Sequence, residues 1–366
     1  MKRFVAFLAA LVLVCTSSLA LADMTVIKGT RKNNIKFKGS KANNPVIEGE
    51  APLTGLAASG EAYTPIITVL DNAQDSGSDN TSAYPHWGVS KADIIFQIPN
   101  AGKGATKLMA LFANEYPEEA GGARSARATM VAAVTMFDAA FAYAGYPDVN
   151  NNNSGVPNLL KKYNMTKNGK AFNLLGKGGY ATRVSHHKEP HNSSVMIKKI
   201  HEELVANNVS FDVRPFLFTD EARTEGADAT IVRVRHFGTD AKGNSNPASA
   251  ATYTYSEADG VYYRKSLDGD YTDYTTGENV GFANVIVLRS YFVFSEGVPY
   301  FKGQLTGQGT AEIFQNGKYV QGAWYRESET SRLILVDADG QELKMQRGKS
   351  FIIITNEVTE VAYDAL

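Results

Sequence analysis

The sequence predicts an α/β N-terminal domain followed by a smaller, mainly antiparallel β C-terminal domain. Three observations carry this. Between residues 51 and 222, short apolar runs bounded by turn residues alternate with two helix-like stretches. From 223 to 366 the apolar period changes to two, and no long amphipathic helix accompanies it. A chain of 366 residues with 43% hydrophobic and 20% charged residues can bury the cores that this division requires.

The chain opens with Lys2 and Arg3, an apolar run from Phe4 to Val14, and small residues at Ala20 and Ala22. That is the pattern of a secretory leader, here residues 1–22, with cleavage expected after Ala22. The run is marginal for a bilayer span and no later stretch approaches that length, so a membrane-spanning protein is not expected. Cys15, the one cysteine, follows Val14 rather than a small residue, so no lipid anchor is expected and the thiol leaves with the leader. Without Lys2 and Arg3 the chain keeps 35 basic residues against 38 acidic ones. This near balance gives no field pointing to nucleic acid, and one cysteine excludes disulfide frameworks and multi-cysteine zinc sites.

Residues 23–50 read as a basic linker, with six Lys or Arg from Lys28 to Lys41 and no acid among them. A solvated leader or an arm held near an anionic surface both fit, and a short edge strand is possible in principle at Ile35 and Phe37. In the α/β region, 65–70, 93–98, 107–113 and 139–143 read as buried strands. The Ala- and Met-rich stretch 125–137 reads as a helix. Ile197, Ile200 and Leu204 mark a second helix capped by Asn192 or Ser193, and 211–218 returns to strand character. Polar residues 219–228 form the expected seam, with Arg223 as its protease-sensitive point. Beyond it, 230–235, 252–255, 285–288 and 349–355 read as strands, and Asn316-Gly317 and Asp339-Gly340 as tight turns.

The candidate chemistry centres on Gly121, Gly122, Arg124, Ser125 and Arg127, between an expected strand and an expected helix. Arginines oppose the helix dipole at such a place, and a bound anion would reverse the penalty. Glycines would let backbone amides approach it, and two guanidinium forks would grip phosphate or carboxylate oxygens. Pairing of Arg124 or Arg127 with Glu118, Glu119 or another acid is the alternative. His191 and Asn192, before the second helix, complete the primary set. Asp71, Asn72, Asp93 and Lys107 form a secondary one. His186, His187 and His191 could suggest zinc, but Pro190 breaks their helical spacing and no fourth ligand is evident, so no metal is expected, and no cofactor motif occurs.

Several separated motifs resemble the YerB-type bacterial lipoproteins. They are Pro52-Leu53-Thr54-Gly55-Leu56, Asp71-Asn72, Gly88 to Ile94, Arg124-Ser125-Ala126-Arg127 and Pro190-His191-Asn192. Further on come Gly260 to Arg264, Asn284 to Val287, Asn316-Gly317-Lys318, Gly322-x-Trp324 and Gly348-Lys349. The resemblance implies an N-terminal α/β domain, a smaller C-terminal domain and no established activity. It also implies a lipidated cysteine, Glu where this chain has Gln97, Arg where it has Lys107, and His where it has Tyr143. Loss of an acid and a His removes acid/base partners, while Arg124, Arg127 and His191 remain. The expectation is a secreted envelope protein binding an anionic cell-wall polymer, a lipid-linked precursor or an envelope protein. An enzyme on a phosphorylated envelope substrate, using Asp71 or Asp93, and a structural or interaction protein are the alternatives.

Overall fold

The computed structural model describes residues 24–72, 82–102, 104–149, 151–152, 154–176, 178–236 and 249–365. The leader, with Cys15 and Ala22, lies outside the described residues. No described helix is long and apolar enough to cross a membrane.

An eleven-stranded mixed sheet runs through both halves of the chain. Ile66–Leu70 pairs antiparallel with Thr106–Phe112 and parallel with Ala140–Tyr143, while Ile94–Pro99 pairs with the other edge of Thr106–Phe112. Ser350–Thr355 then joins Ile94–Pro99 in parallel, and Asn284–Arg289 joins Ser350–Thr355. The hairpin Gly307–Gln315/Lys318–Arg326 extends the sheet further, through a turn with Asn316 at φ 51° and Gly317 at φ 69°. Such angles suit Asn-Gly. The central strands are buried along their whole length, as the unbroken apolar runs of a two-sided strand predict.

Each face of this sheet has its own cover. Val69, Met109, Ile286 and Ile352 pack with the helices α1 (Ala128–Val134) and α2 (Val156–Lys162) and with Phe292 and Phe301. On the opposite face, Leu70, Leu108, Val285 and Ile353 pack with α3 (Ile197–Ala206) and with Val232, Tyr253, Tyr262 and Val361 of a seven-stranded sheet. Helix α1 is buried on every side, which its alanines permit, and its last carbonyls are not left bare. Arg326 Nη1 donates to Ala132 O at 3.1 Å and Arg214 Nη1 to Thr135 O at 2.7 Å, satisfying carbonyls at the helix end.

Several expectations need correction. The N-terminal region holds only three short helices among the described residues and is mostly strand, so its α/β character is weaker than the composition of 125–137 implied. Helix α2, which carries Pro157 near its start, was not anticipated; α3 begins after Met196, because Ser193–Val195 is drawn into a strand. The segment 211–218 supplies only Leu217–Thr219, paired in parallel with Lys344–Gln346. The basic linker is not a free leader: Thr25–Ile27 pairs with Glu360–Asp364, and Phe37 stacks on Tyr325 at 5.7 Å. Nor is the seam loose. Arg223 donates to Asn316 Oδ1 and Gln315 Oε1, Asp220 pairs with Arg347 at 2.6 Å, and Ala227–Asp228 pairs with Lys318–Arg326. Strand pairing was stronger than polar composition because it satisfies backbone groups that would otherwise compete for water.

Candidate functional site

Asp71 follows the strand Ile66–Leu70, and Lys107 sits beside it on the antiparallel neighbour. Both are buried, at 5% and 7% exposure, and Lys107 Nζ lies 3.4 Å from Asp71 Oδ1. The other carboxylate oxygen accepts from Arg124 Nε and from His191 Nδ1, the latter at 2.9 Å. Arg124 reaches it because its backbone amide is bound to Val69 O, and His191 because the short strand Ser193–Val195 runs beside Ala120–Gly121. Burial alone would raise the Asp71 pKa. The His191 hydrogen bond and the charges of Lys107 and Arg124 outweigh it and hold the carboxyl far below the usual range.

Positive charge exceeds negative here. Lys107 and Arg124 both reach the Asp71 carboxylate, Arg127 stands close enough to act on these two cations, and burial together with the two arginines lowers the Lys107 pKa. Arg127 bonds no acid among the described residues: its Nη1 donates to Ser125 Oγ at 2.8 Å, Ala126 O at 2.9 Å and Ser125 O at 3.4 Å. Burial, then Arg124, lower its pKa as well. Neither Glu118 nor Glu119 pairs with either arginine. Glu118 binds Lys198 and Glu119 accepts from Thr182.

The glycines serve differently from the expectation. A Cβ on Gly121 would stand 2.0 Å from Trp87, and one on Gly122 2.2 Å from His191 O, so both permit close packing of neighbouring chain. The amides of Gly121, Ala123, Arg124 and Ala126 donate to Trp87, Ser193, Val69 and Gly145 carbonyls and are not presented to a ligand. The helix starts only at Ala128 and spans seven residues, so the dipole argument loses its basis. Of the remaining residues, Asn192 is held by Arg183 at 2.6 Å, away from the carboxylate. Asp93 lies at the other end of its strand, where it accepts from the amides of Ala113 and Asn114. Burial pushes its carboxyl up to about 6. His186 and His187 touch each other at 2.7 Å and rest on Trp87, while His191 turns to Asp71.

Asn72 points into a second polar network. Its amide donates to Thr106 Oγ1 at 2.8 Å and accepts from Tyr84 Oη at 2.5 Å. Gln97 donates to the same Thr106 oxygen and to Ser249 O, both at 2.9 Å, while its own Oε1 is buried without a partner. His86 Nε2 contacts Asp71 O at 2.7 Å. Sequence reasoning missed Tyr84, His86 and Thr106. No local pattern distinguishes them: Thr106 arrives by strand pairing, and Tyr84 and His86 come from the segment that precedes Val89–Lys91.

Residues 53–210 match the N-terminal domain and residues 241–352 the C-terminal domain of a family described as a protein of unknown function (DUF3048). The chain belongs to this family. It is 27% identical over 317 residues to the protein named "Putative lipoprotein YerB" from Bacillus subtilis (strain 168), covering 84% of this chain and 87% of YerB. The crystal structure of Bacillus subtilis YerB is similar in fold, with a TM-score of 0.66 at 25% identity, over 85% of this chain and 99% of that one.

Proposed function

We propose that this chain is an extracytoplasmic binding module that recognises an anionic group, phosphate or carboxylate, on an envelope ligand. Lys107, Arg124 and Arg127 form the receptor around Asp71. The observation that carries the reading is the charge count: Lys107 and Arg124 share one carboxylate, and the adjacent Arg127 bonds, among the described residues, the Ser125 hydroxyl and the Ser125 and Ala126 carbonyls. Asp71 and His191 then act as a brace that keeps Arg124 in place. Ser125 orients Arg127, and Gly121 and Gly122 let the supporting segments close together. A wall polymer, a lipid-linked precursor and an envelope protein all carry such groups. The name of the YerB relative, a lipoprotein, supports a place outside the cytoplasm.

The competing enzymatic reading finds less support. A carboxyl held as far down as Asp71 is a poor proton carrier near neutrality, and Asp93 stands at the far end of its strand. The test is calorimetric titration of the chain with inorganic phosphate and with glycerol 3-phosphate. Arg127→Ala should weaken binding by about tenfold, the loss of one charge-assisted hydrogen bond, with the melting temperature retained. Equal affinity in the wild type and in Arg127→Ala would overturn the assignment.

A further inference from the structure

Arg264 lies on Val261–Ser266, directly across the ladder from Tyr253 of Ala251–Ser256, and is 1% exposed. Among the described residues no carboxylate pairs with it and none of its three nitrogens makes a well-formed hydrogen bond, the Tyr253 hydroxyl offering one marginal contact. Three aromatic rings surround it instead: the centroids of Tyr84, Tyr271 and Phe351 lie 5.8, 5.4 and 5.6 Å from its Cζ. The Tyr271 hydroxyl, Nδ1 of His86 and Nε2 of His236 are also buried without partners among the described residues. Burial lowers the pKa of both imidazoles, to about 4 for His86, where the Arg264 charge adds to it, and to about 3 for His236, where Arg289 and then Arg264 add to it.

Ring faces offset part of the cost of burying a guanidinium, but they leave its N–H groups unbonded. A guanidinium whose donors find at most one phenol among the described residues lacks one component, an oxygen-rich anion. We propose that this cage is a second anion-binding pocket, taking a compact carboxylate or phosphate group between the two family regions. Arg264 supplies the charge, and the Tyr253 and Tyr271 hydroxyls donate from the sides. Tyr84 and His86 separate it from the Asp71 site: each faces the cage with its ring while its polar atom binds Asn72 or the Asp71 carbonyl. This inference stands apart from the Arg127 reading, because the two pockets use different cations.

The experiment uses the full mature chain carrying Arg127→Ala, titrated with inorganic phosphate in one arm and acetate in the other, with thermal melting in parallel. Binding of either anion is expected to persist and to raise the melting temperature, and the arm that binds more tightly names the group. Adding Tyr271→Phe or Tyr253→Phe, which keeps the ring and removes only the donor, should weaken that binding by about tenfold. Arg264→Met should abolish it. Should Arg264→Met fail to fold, the two phenylalanine variants decide. Absence of binding in both arms, or affinities unchanged by both Tyr→Phe substitutions, would overturn the pocket, and neither result bears on Arg127.

Discussion

Arg289 and Arg264 are both buried in the C-terminal half, yet their surroundings differ completely. Arg289 meets Glu312 through two parallel bonds of 2.8 and 2.9 Å, and its Nη1 donates to the Asn356 and Thr359 carbonyls at 2.8 and 2.5 Å. Arg264 meets aromatic rings and, among the described residues, phenol hydroxyls but no carboxylate. The fold therefore supplies a carboxylate and carbonyls where a guanidinium only ties strands together. Where it withholds them, the charge is left for something else. The Asp71 corner lies between these cases, with one carboxylate shared by Lys107 and Arg124 and a further cation, Arg127, beside them.

The strongest way to break this comparison is to remove the carboxylate from the satisfied pair. Glu312→Gln should cost about 3–5 kcal/mol in denaturant unfolding, because it strands a buried guanidinium. Arg264→Met in ligand-free protein should be neutral or stabilising, since it removes a charge that no acid among the described residues balances. If both substitutions destabilise equally, the distinction between the two arginines fails.

Acid titration comes next. His86 and His236 bind protons less readily folded than unfolded, so the unfolded chain holds more protons below the ordinary value of 6.5. Stability should thus be present above 6.5 and fall as pH drops toward 4, by roughly 1–3 kcal/mol per histidine. Asp93 opposes this: its raised pKa means that protonation favours the folded state as pH falls from about 6. Two histidines outweigh one carboxyl, so the net slope is a loss in acid. His236→Phe should flatten it, and a melting temperature that rises on acidification from neutrality would contradict the assignment.

Asp71→Asn should cost about 2 kcal/mol by removing charged bonds from His191 and Arg124, while tightening phosphate binding at the Lys107, Arg124 and Arg127 site. Weaker binding in that variant would make Asp71 part of the recognition surface rather than a brace. The smallest effect is expected from Arg127→Ala without ligand, within about 0.5 kcal/mol of wild type by thermal melting, because its partners are nearby carbonyls and a hydroxyl. A larger loss would mean that Arg127 is structural.

Much of the strand inventory could be read from the chain. The apolar runs at 65–70, 93–98, 285–288 and 349–355 are too uniformly hydrophobic to face water, and Asn316-Gly317 demands a hairpin. Ile197, Ile200 and Leu204 repeat at helical spacing. Arg124, Arg127, His191, Asp71 and Lys107 were likewise visible as polar residues at strand ends and turns, where side chains are free to meet.

Which of them meet was decided by tertiary structure alone. Asp71 and Lys107 are neighbours because two strands adopt one register, and Asp93 is excluded because it directly precedes a third strand, Ile94–Pro99, whose pairing sets Ile94 against Leu111, at the far end of Thr106–Phe112 from Lys107. The 219–228 seam reads as a linker by composition, yet the parallel pairing of Ser350–Thr355 with Ile94–Pro99 joins residues about 250 positions apart into one sheet. Arg264 shows only one local sign, a charge on the buried phase of an alternating strand beside Tyr262. Local spacing determines which residues share a face of one element. Whether that face meets a carboxylate, a ring or a ligand depends on contacts between elements, which the spacing within either one does not contain.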